Sequence, residues 1–307
     1  MIISYKIKLN SNPKKGYDEM SNYVIHTDSA CDMPYETLKE WGVAYADLTF
    51  KFDDSETVYD GSSMPITEFY QKMRDGKVAK TAAANTEAFT AIFEKTLSEG
   101  HDVLHLGFSS GLSATYNCAR LAANALAGKY PERKIIVIDS LMASAGTGLY
   151  LRLLLDKKAE GATIEEVASY AEEIKMNVCA WFTVDDLVYL KRGGRISAAT
   201  ALVGNMLGIK PILHVDNEGH LINVAKARGR RGSIMALADK YGELARDLAT
   251  DKVYISHGDC DADAKALADI LKEKYGATVS VITYVGSVIG AHSGPGTLAL
   301  FFIGKER

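Results

Sequence analysis

Three stretches of this chain share one pattern, an apolar run of strand length and then a short polar turn, and in two of them a segment with helical spacing follows. "YVIHTDSACDM" ends its run at Asp28-Ser29, and "DVLHLGFSSGLSATYNCARLAANAL" turns at Ser109-Ser110. "KIIVIDSLMASAGTGLYLRLLLDKKAEG" turns at Asp139-Ser140. Strand and helix in alternation argue for a parallel sheet with helices on its faces. Ligands bind beyond the carboxyl ends of such strands. All three polar turns lie there, and their convergence weighs more than any one of them.

The intervening segments fit the same class. "VAYADLTFKFD" alternates as a strand, and Pro65 to Asp75 has helical spacing with Thr67 as a candidate cap. "VAKTAAANTEAFTAIFEKTLSEG" reads as a loop followed by a helix capped by Asn85 or Thr86. Beyond about Lys175 the texture changes. Asn217-Glu218-Gly219 joins two strand-like runs as a hairpin turn. A helix from Ser233 to Ala249, a strand "KVYISHG" and a helix capped by Asp261 or Asp263 follow. The expected organisation is an N-terminal extension over 1–19, an α/β domain over 20–175 and an α+β domain over 176–307. The extension looks unlike the rest, so Met20 is the expected native start.

The bulk numbers set bounds. A length of 307 residues suits two domains, and 35 basic against 39 acidic residues give a net charge of −4. That balance argues against nucleic acid or an anionic membrane as the main partner. Cys31, Cys118, Cys179 and Cys260 lie far apart without a C-x-x-C pair, which removes zinc-ribbon and thioredoxin readings. The start lacks the apolar core of a signal peptide. Thr297 to Ile303 is far short of the ~20 residues that span a bilayer. A cytoplasmic protein with reduced thiols is expected.

Gly107-Phe108-Ser109-Ser110-Gly111 matches the G-x-S-x-G of a nucleophile elbow, and Ser109, Asp259 and His292 stand in hydrolase order. Too few strands precede the turn for an α/β-hydrolase, and no HGGG-like run supplies a second oxyanion donor. The same residues suit another use. A helix N-terminus attracts anions, and Ser109, Ser110, Ser113 and Thr115 add hydroxyl donors with no adjacent general base. His292 sits in "GAHSGPG", where glycines let backbone approach a ligand. Lys191, Arg192 and Arg195, and again Lys226, Arg228, Arg230 and Arg231, are either solvated charge or contacts to a phosphate-bearing partner.

Other patterns fail. His101 and His105 lack the Glu of H-E-x-x-H, and the Asp259, Asp261, Asp263 series has Ala264 where a calcium loop needs Gly. Gly146-Thr147-Gly148 has Leu151 in place of the third glycine of a dinucleotide fingerprint, and no P-loop occurs. Neither a metal nor a catalytic residue is expected.

Taken together, "TDSACDMP", "GFSSGLSATY", "VIDSLMASAGTG", "VDDLVYLKRGGRIS", "GIKPIL", "KARG" and "VIGAHSGPGTLAL" resemble the DegV family of bacterial fatty-acid-binding proteins, from about Tyr23 onward. The resemblance implies a two-domain α/β fold with a long-chain fatty acid buried between the domains. It implies a non-catalytic carrier that presents the carboxylate to a separate ATP-dependent fatty acid kinase for acyl-phosphate formation and phospholipid synthesis. It implies a monomer without cofactor, the bound fatty acid being its ligand. Thr81, Ser109, Ser110 and His292 are then the expected carboxylate contacts. Asp28, Ser29, Ser113, Arg192, Arg195, Arg228 and Gly294 are supporting or partner contacts. One departure stands out: the family's T-S-x-P-S-like loop reads Thr81-Ala82-Ala83-Ala84-Asn85 here. The rival readings are a serine esterase or lipase using Ser109, and a lipid or carboxylate sensor.

Overall fold

A computed structural model describes residues 22–197 and 208–307. The expected extension over 1–19 and the Met20 start lie outside the described residues. The first sheet is parallel throughout. It is formed by β1 (Tyr23–Asp28), β2 (Ala44–Ala46), β5 (Asp102–Gly107) and β6 (Ile135–Asp139), in the order β2-β1-β5-β6. Two further strands, β3 (Thr49–Phe52) and β4 (Ala79–Ala82), pair with each other as a separate antiparallel ribbon. The alternating run "VAYADLTFKFD" is thus divided between two sheets.

The second sheet is mixed. Its strands are β7 (Val178–Thr183), β8 (Ile209–Val215), β9 (Leu221–Arg228), β10 (Val253–His257), β11 (Val279–Tyr284) and β12 (Leu298–Ile303). Their order is β11-β10-β12-β7-β8-β9, and only β10 and β11 run parallel. The chain therefore has an α/β part with a parallel sheet and a separate part with a mixed sheet. β8 and β9 form the hairpin expected at Asn217-Glu218-Gly219, with Gly219 at φ +78°.

Local chemistry explains most helix starts. Asn85 accepts from Ala88 N at 2.8 Å and caps the helix Thr86–Ser98. Thr163 and Glu166 form a capping box on Ile164–Ile174. Three expected boundaries differ. Pro65, not Thr67, precedes the helix Ile66–Arg74, its fixed φ suiting the entry. The helix Asp261–Tyr275 starts after Cys260, with Asp261 and Asp263 in its first turn, where their charge complements the dipole. The helix expected over Ser233 to Ala249 spans Gly229–Leu244. Arg230 is held by Asp263 at 2.8 Å, which draws the basic run into the first turn. Ala245 leaves the helix because its backbone bridges to Gly304.

The two sheets share one core. The helix Ala145–Ala159 is buried on every side from Ala145 to Leu151, as expected of an element with protein all round it. It packs against β7, β10 and β12 on one side and the Ser29–Cys31 turn on the other. Here Gly146 and Gly148 have a packing role: added Cβ atoms would press on Met142 and Phe301, and on Met33. Arg307 adds a polar tie. Its guanidinium donates to Leu141 O, Lys175 O and Asp216 O, and its Nε to Val178 O.

Candidate functional site

A cavity of about 240 Å³ opens between the two sheets. Phe108 and Leu112 come from the loop after β5, and Phe182, Val215, Ala299 and Phe301 come from the mixed sheet. All six are buried, so the wall is apolar because one face of the mixed sheet and the loop beyond β5 turn hydrophobic side chains toward it.

Among the half-exposed residues of the wall, Thr81, Ser113, Arg195 and His292 are polar. Thr81 ends on β4, and His292 lies in the last turn of the short helix Ser287–Ser293. Thr81 Oγ1 and His292 Nε2 meet at 2.8 Å across 211 residues of sequence. Burial, helped by the charge of Arg195, lowers the His292 pKa to about 4. The imidazole is therefore neutral at physiological pH, with one N–H to give. If Nε2 carries it toward Thr81, the Thr81 hydroxyl is free to donate onward. His292 Nδ1 has no hydrogen-bond partner among the described residues.

Arg195 also lines the cavity. Its Nε donates to Leu112 O at 3.2 Å and its Nη1 to Gly193 O, and burial lowers its pKa. Both acceptors are carbonyls, so its positive charge is left without an anion among the described residues. Ser113 lies nearby in the wall, with Ala114 beside it. Its hydroxyl pairs with Thr115 Oγ1 at 2.8 Å and accepts from Thr115 N at the start of the helix Thr115–Ala127. The unpaired amides of that helix therefore begin at the cavity edge.

The structure brings Thr81, Ser113, Arg195 and His292 together and places the other candidate residues elsewhere. Ser109 is fully buried, and its hydroxyl donates to Gly219 O at 2.9 Å. Ser110 is exposed, with its N–H on Asp139 Oδ1. Neither borders the cavity, and the helix starts at Thr115, several residues later. Asp28 is buried under the loop, accepting from Phe108 N at 2.8 Å and Ala30 N at 3.1 Å. Burial raises its pKa to about 7 against those two hydrogen bonds. Ser29 accepts from Leu48 N. Arg192 is exposed over the Tyr189 ring, Arg228 is exposed at the end of β9, and Gly294 closes the His292 helix.

The hydrolase constellation is not assembled. Ser109 faces a carbonyl, Asp259 is ion-paired to Arg74 at 2.5 Å, and His292 bonds Thr81. Among the described residues no cluster of His, Cys, Asp and Glu is placed to hold a metal, and no helix is long and apolar enough to cross a membrane. Ser293 was not singled out in the sequence. It lines the cavity beside His292, and its only sequence signal was its place in "GAHSGPG".

Residues 22–305 match the family model described as "Uncharacterised protein, DegV family". The chain belongs to the DegV family. A DegV domain-containing protein of Clostridium perfringens is 40% identical over 289 residues, covering 94% of this chain and 99% of that one. A Thermotoga maritima protein named fatty acid-binding protein is 34% identical over 288 residues, covering 92% and 98%. Among solved structures, a DegV lipid-binding protein from Thermotoga maritima superimposes with a TM-score of 0.81 at 32% identity. It covers 93% of this chain and 99% of its own. The parallel sheet followed by a mixed sheet is thus the DegV fold.

Proposed function

We propose that this DegV chain binds a long-chain fatty acid, with the alkyl chain in the cavity and the carboxylate at the Thr81–His292 edge. The observation that carries the reading is the cavity itself: about 240 Å³, walled by buried Phe108, Phe182, Val215 and Phe301, and polar where Thr81, Arg195 and His292 reach solvent. Burying a methylene stabilises by ~0.8 kcal/mol, so a chain of about fifteen contributes on the order of 12 kcal/mol gross. Lost freedom on binding offsets much of it. Hydrogen bonds at ~1 kcal/mol each are too weak to dominate affinity, and they set orientation instead. A neutral His292 relays a hydrogen bond through Thr81, while Arg195 supplies the fixed positive charge. The similarity to lipid- and fatty-acid-binding relatives supports the same ligand class.

A carboxylate held at the solvent edge is accessible to a second protein. The carrier reading follows: a separate ATP-dependent fatty acid kinase transfers phosphoryl to that carboxylate, and this chain contributes no covalent chemistry. Lys191 and Arg192 are exposed on the segment that also carries Leu190 and Arg195, which suits contact with a phosphate-bearing partner.

Mass spectrometry of an organic extract of the purified protein tests the ligand. A stoichiometric fatty acid is expected. An empty protein that also fails to take up palmitate in a titration would refute the reading. ATP-dependent acyl-phosphate formation with the kinase added tests the hand-over separately. No stimulation by this chain would remove that role and leave binding standing.

A further inference from the structure

Five residues with side-chain hydroxyls line the cavity: Thr81, Ser113, Ser144, Ser293 and Thr297. Four of them have protein partners. Thr81 bonds His292, Ser113 bonds Thr115, Ser144 donates to Asp32 Oδ2 at 2.5 Å, and Thr297 donates to Gly294 O at 2.8 Å. Ser293 is different. It is only 5% exposed, and its Oγ has no hydrogen-bond partner among the described residues. A hydroxyl shut away from water without a partner is costly, so such a group in a cavity wall points to a ligand atom.

Position says which ligand atom. Ser293 follows His292 directly in the last turn of the helix Ser287–Ser293, so both project from the same end of that helix into one cavity. Past Thr81, the wall continues with Ala82 and Ala83, which offer no side-chain donor. A carboxylate has two oxygens and about four acceptor sites. The Thr81–His292 pair can give one side-chain donor to one of those oxygens, because the two groups share a hydrogen between them.

We propose that Ser293 is a ligand-contacting residue whose hydroxyl donates to the second carboxylate oxygen of the bound lipid. The inference rests on the fatty-acid reading and gives its head-group site a second point of attachment. Two donors, one from β4 and one from the helix Ser287–Ser293 packed beside it, fix the plane of the carboxylate as well as its position. A single-oxygen head group such as an alcohol uses the Thr81 point and leaves Ser293 unused.

The test compares wild type and Ser293→Ala after lipid removal, using palmitate and hexadecanol as probes. Palmitate affinity is expected to fall about tenfold, the effect of one lost hydrogen bond to a charged acceptor. Hexadecanol affinity should hold. The melting temperature of the lipid-free variant should stay level or rise, because the hydroxyl satisfies nothing in the empty protein. Ser293→Thr, which keeps a hydroxyl, should recover part of the palmitate affinity. Unchanged palmitate binding in Ser293→Ala would overturn the proposal while leaving the fatty-acid reading intact. Equal losses for palmitate and hexadecanol, or a lower melting temperature, would mark Ser293 as a packing residue and overturn it too. A wild type that binds neither probe would overturn the fatty-acid reading and this proposal with it.

Discussion

Ser109 gives its hydroxyl hydrogen to the carbonyl oxygen of Gly219 at 2.9 Å, tying the turn after β5 to the tip of the β8–β9 hairpin. The G-x-S-x-G motif is therefore a seat for backbone from the other sheet. Ser109 Oγ also accepts from Gly111 N at 3.2 Å, so Ser109→Ala removes two hydrogen bonds and should cost about 1–2 kcal/mol of stability while leaving palmitate affinity unchanged. Gly219→Ala should cost more, about 2 kcal/mol or above. Its φ is +78°, and the added Cβ would strike Ser109 Oγ. Thermal unfolding of both variants checks the order. Turnover of a p-nitrophenyl ester that disappears in Ser109→Ala would contradict this account.

Thr81→Val removes the hydroxyl that meets His292 Nε2 at 2.8 Å while keeping a β-branched side chain of similar shape. Palmitate binding should weaken about tenfold, as expected for losing a donor to a charged oxygen. Titration calorimetry reads the change, and an affinity equal to wild type would remove Thr81 from the head-group site.

His105 sits buried against Phe89 and Phe93, with both ring nitrogens unpartnered among the described residues. Burial, with a smaller effect from His26, lowers its pKa to about 3 from 6.5. The unfolded chain takes up a proton below pH 6.5 that the folded one refuses. The stability His105 contributes is thus present above 6.5 and lost as pH falls toward about 3, by up to about 1.4 kcal/mol per pH unit. His105→Phe should flatten the acid side of the stability–pH curve. An unchanged slope in denaturant titrations at pH 4 to 6 would count against it.

Asp32 has the opposite sign. Burial raises its pKa to about 7, against hydrogen bonds from Ser144 and the Gly286 N–H. The folded protein keeps a proton that the unfolded chain releases above about 3.8, so this contribution is full below 3.8 and lost as pH rises through about 7. Asp28, raised to about 7 in the same way, contributes its own decline, so Asp32→Asn should make the fall between pH 4 and 7 shallower without abolishing it. The same denaturant titrations would show it, and a variant whose slope across this window equals that of wild type would refute the assignment.

Much of the fold was legible because its signals are local. The apolar runs ending at Asp28, Gly107 and Asp139 became the three long strands of the parallel sheet, and Asn85 became the cap it spells. The Asn217-Glu218-Gly219 turn follows from the left-handed backbone that its glycine adopts. Partner choice was not legible. "VAYADLTFKFD" shows one alternation, yet its halves pair with β1 and β4 in different sheets, because pairing depends on edges contributed by distant segments.

The candidate site divides the same way. The sequence by itself supplied the residue types and the polar turns at strand ends, since periodicity and turn chemistry are set by neighbours along the chain. The tertiary structure alone decided which hydroxyls face the cavity. Thr81 meets His292 across 211 residues, Ser109 is taken by a carbonyl 110 residues away, and Ser293 is left with no described partner. Two serines of equal chemistry differ only in which long-range contact closes over them, and that is fixed by the packing of the two sheets as a whole.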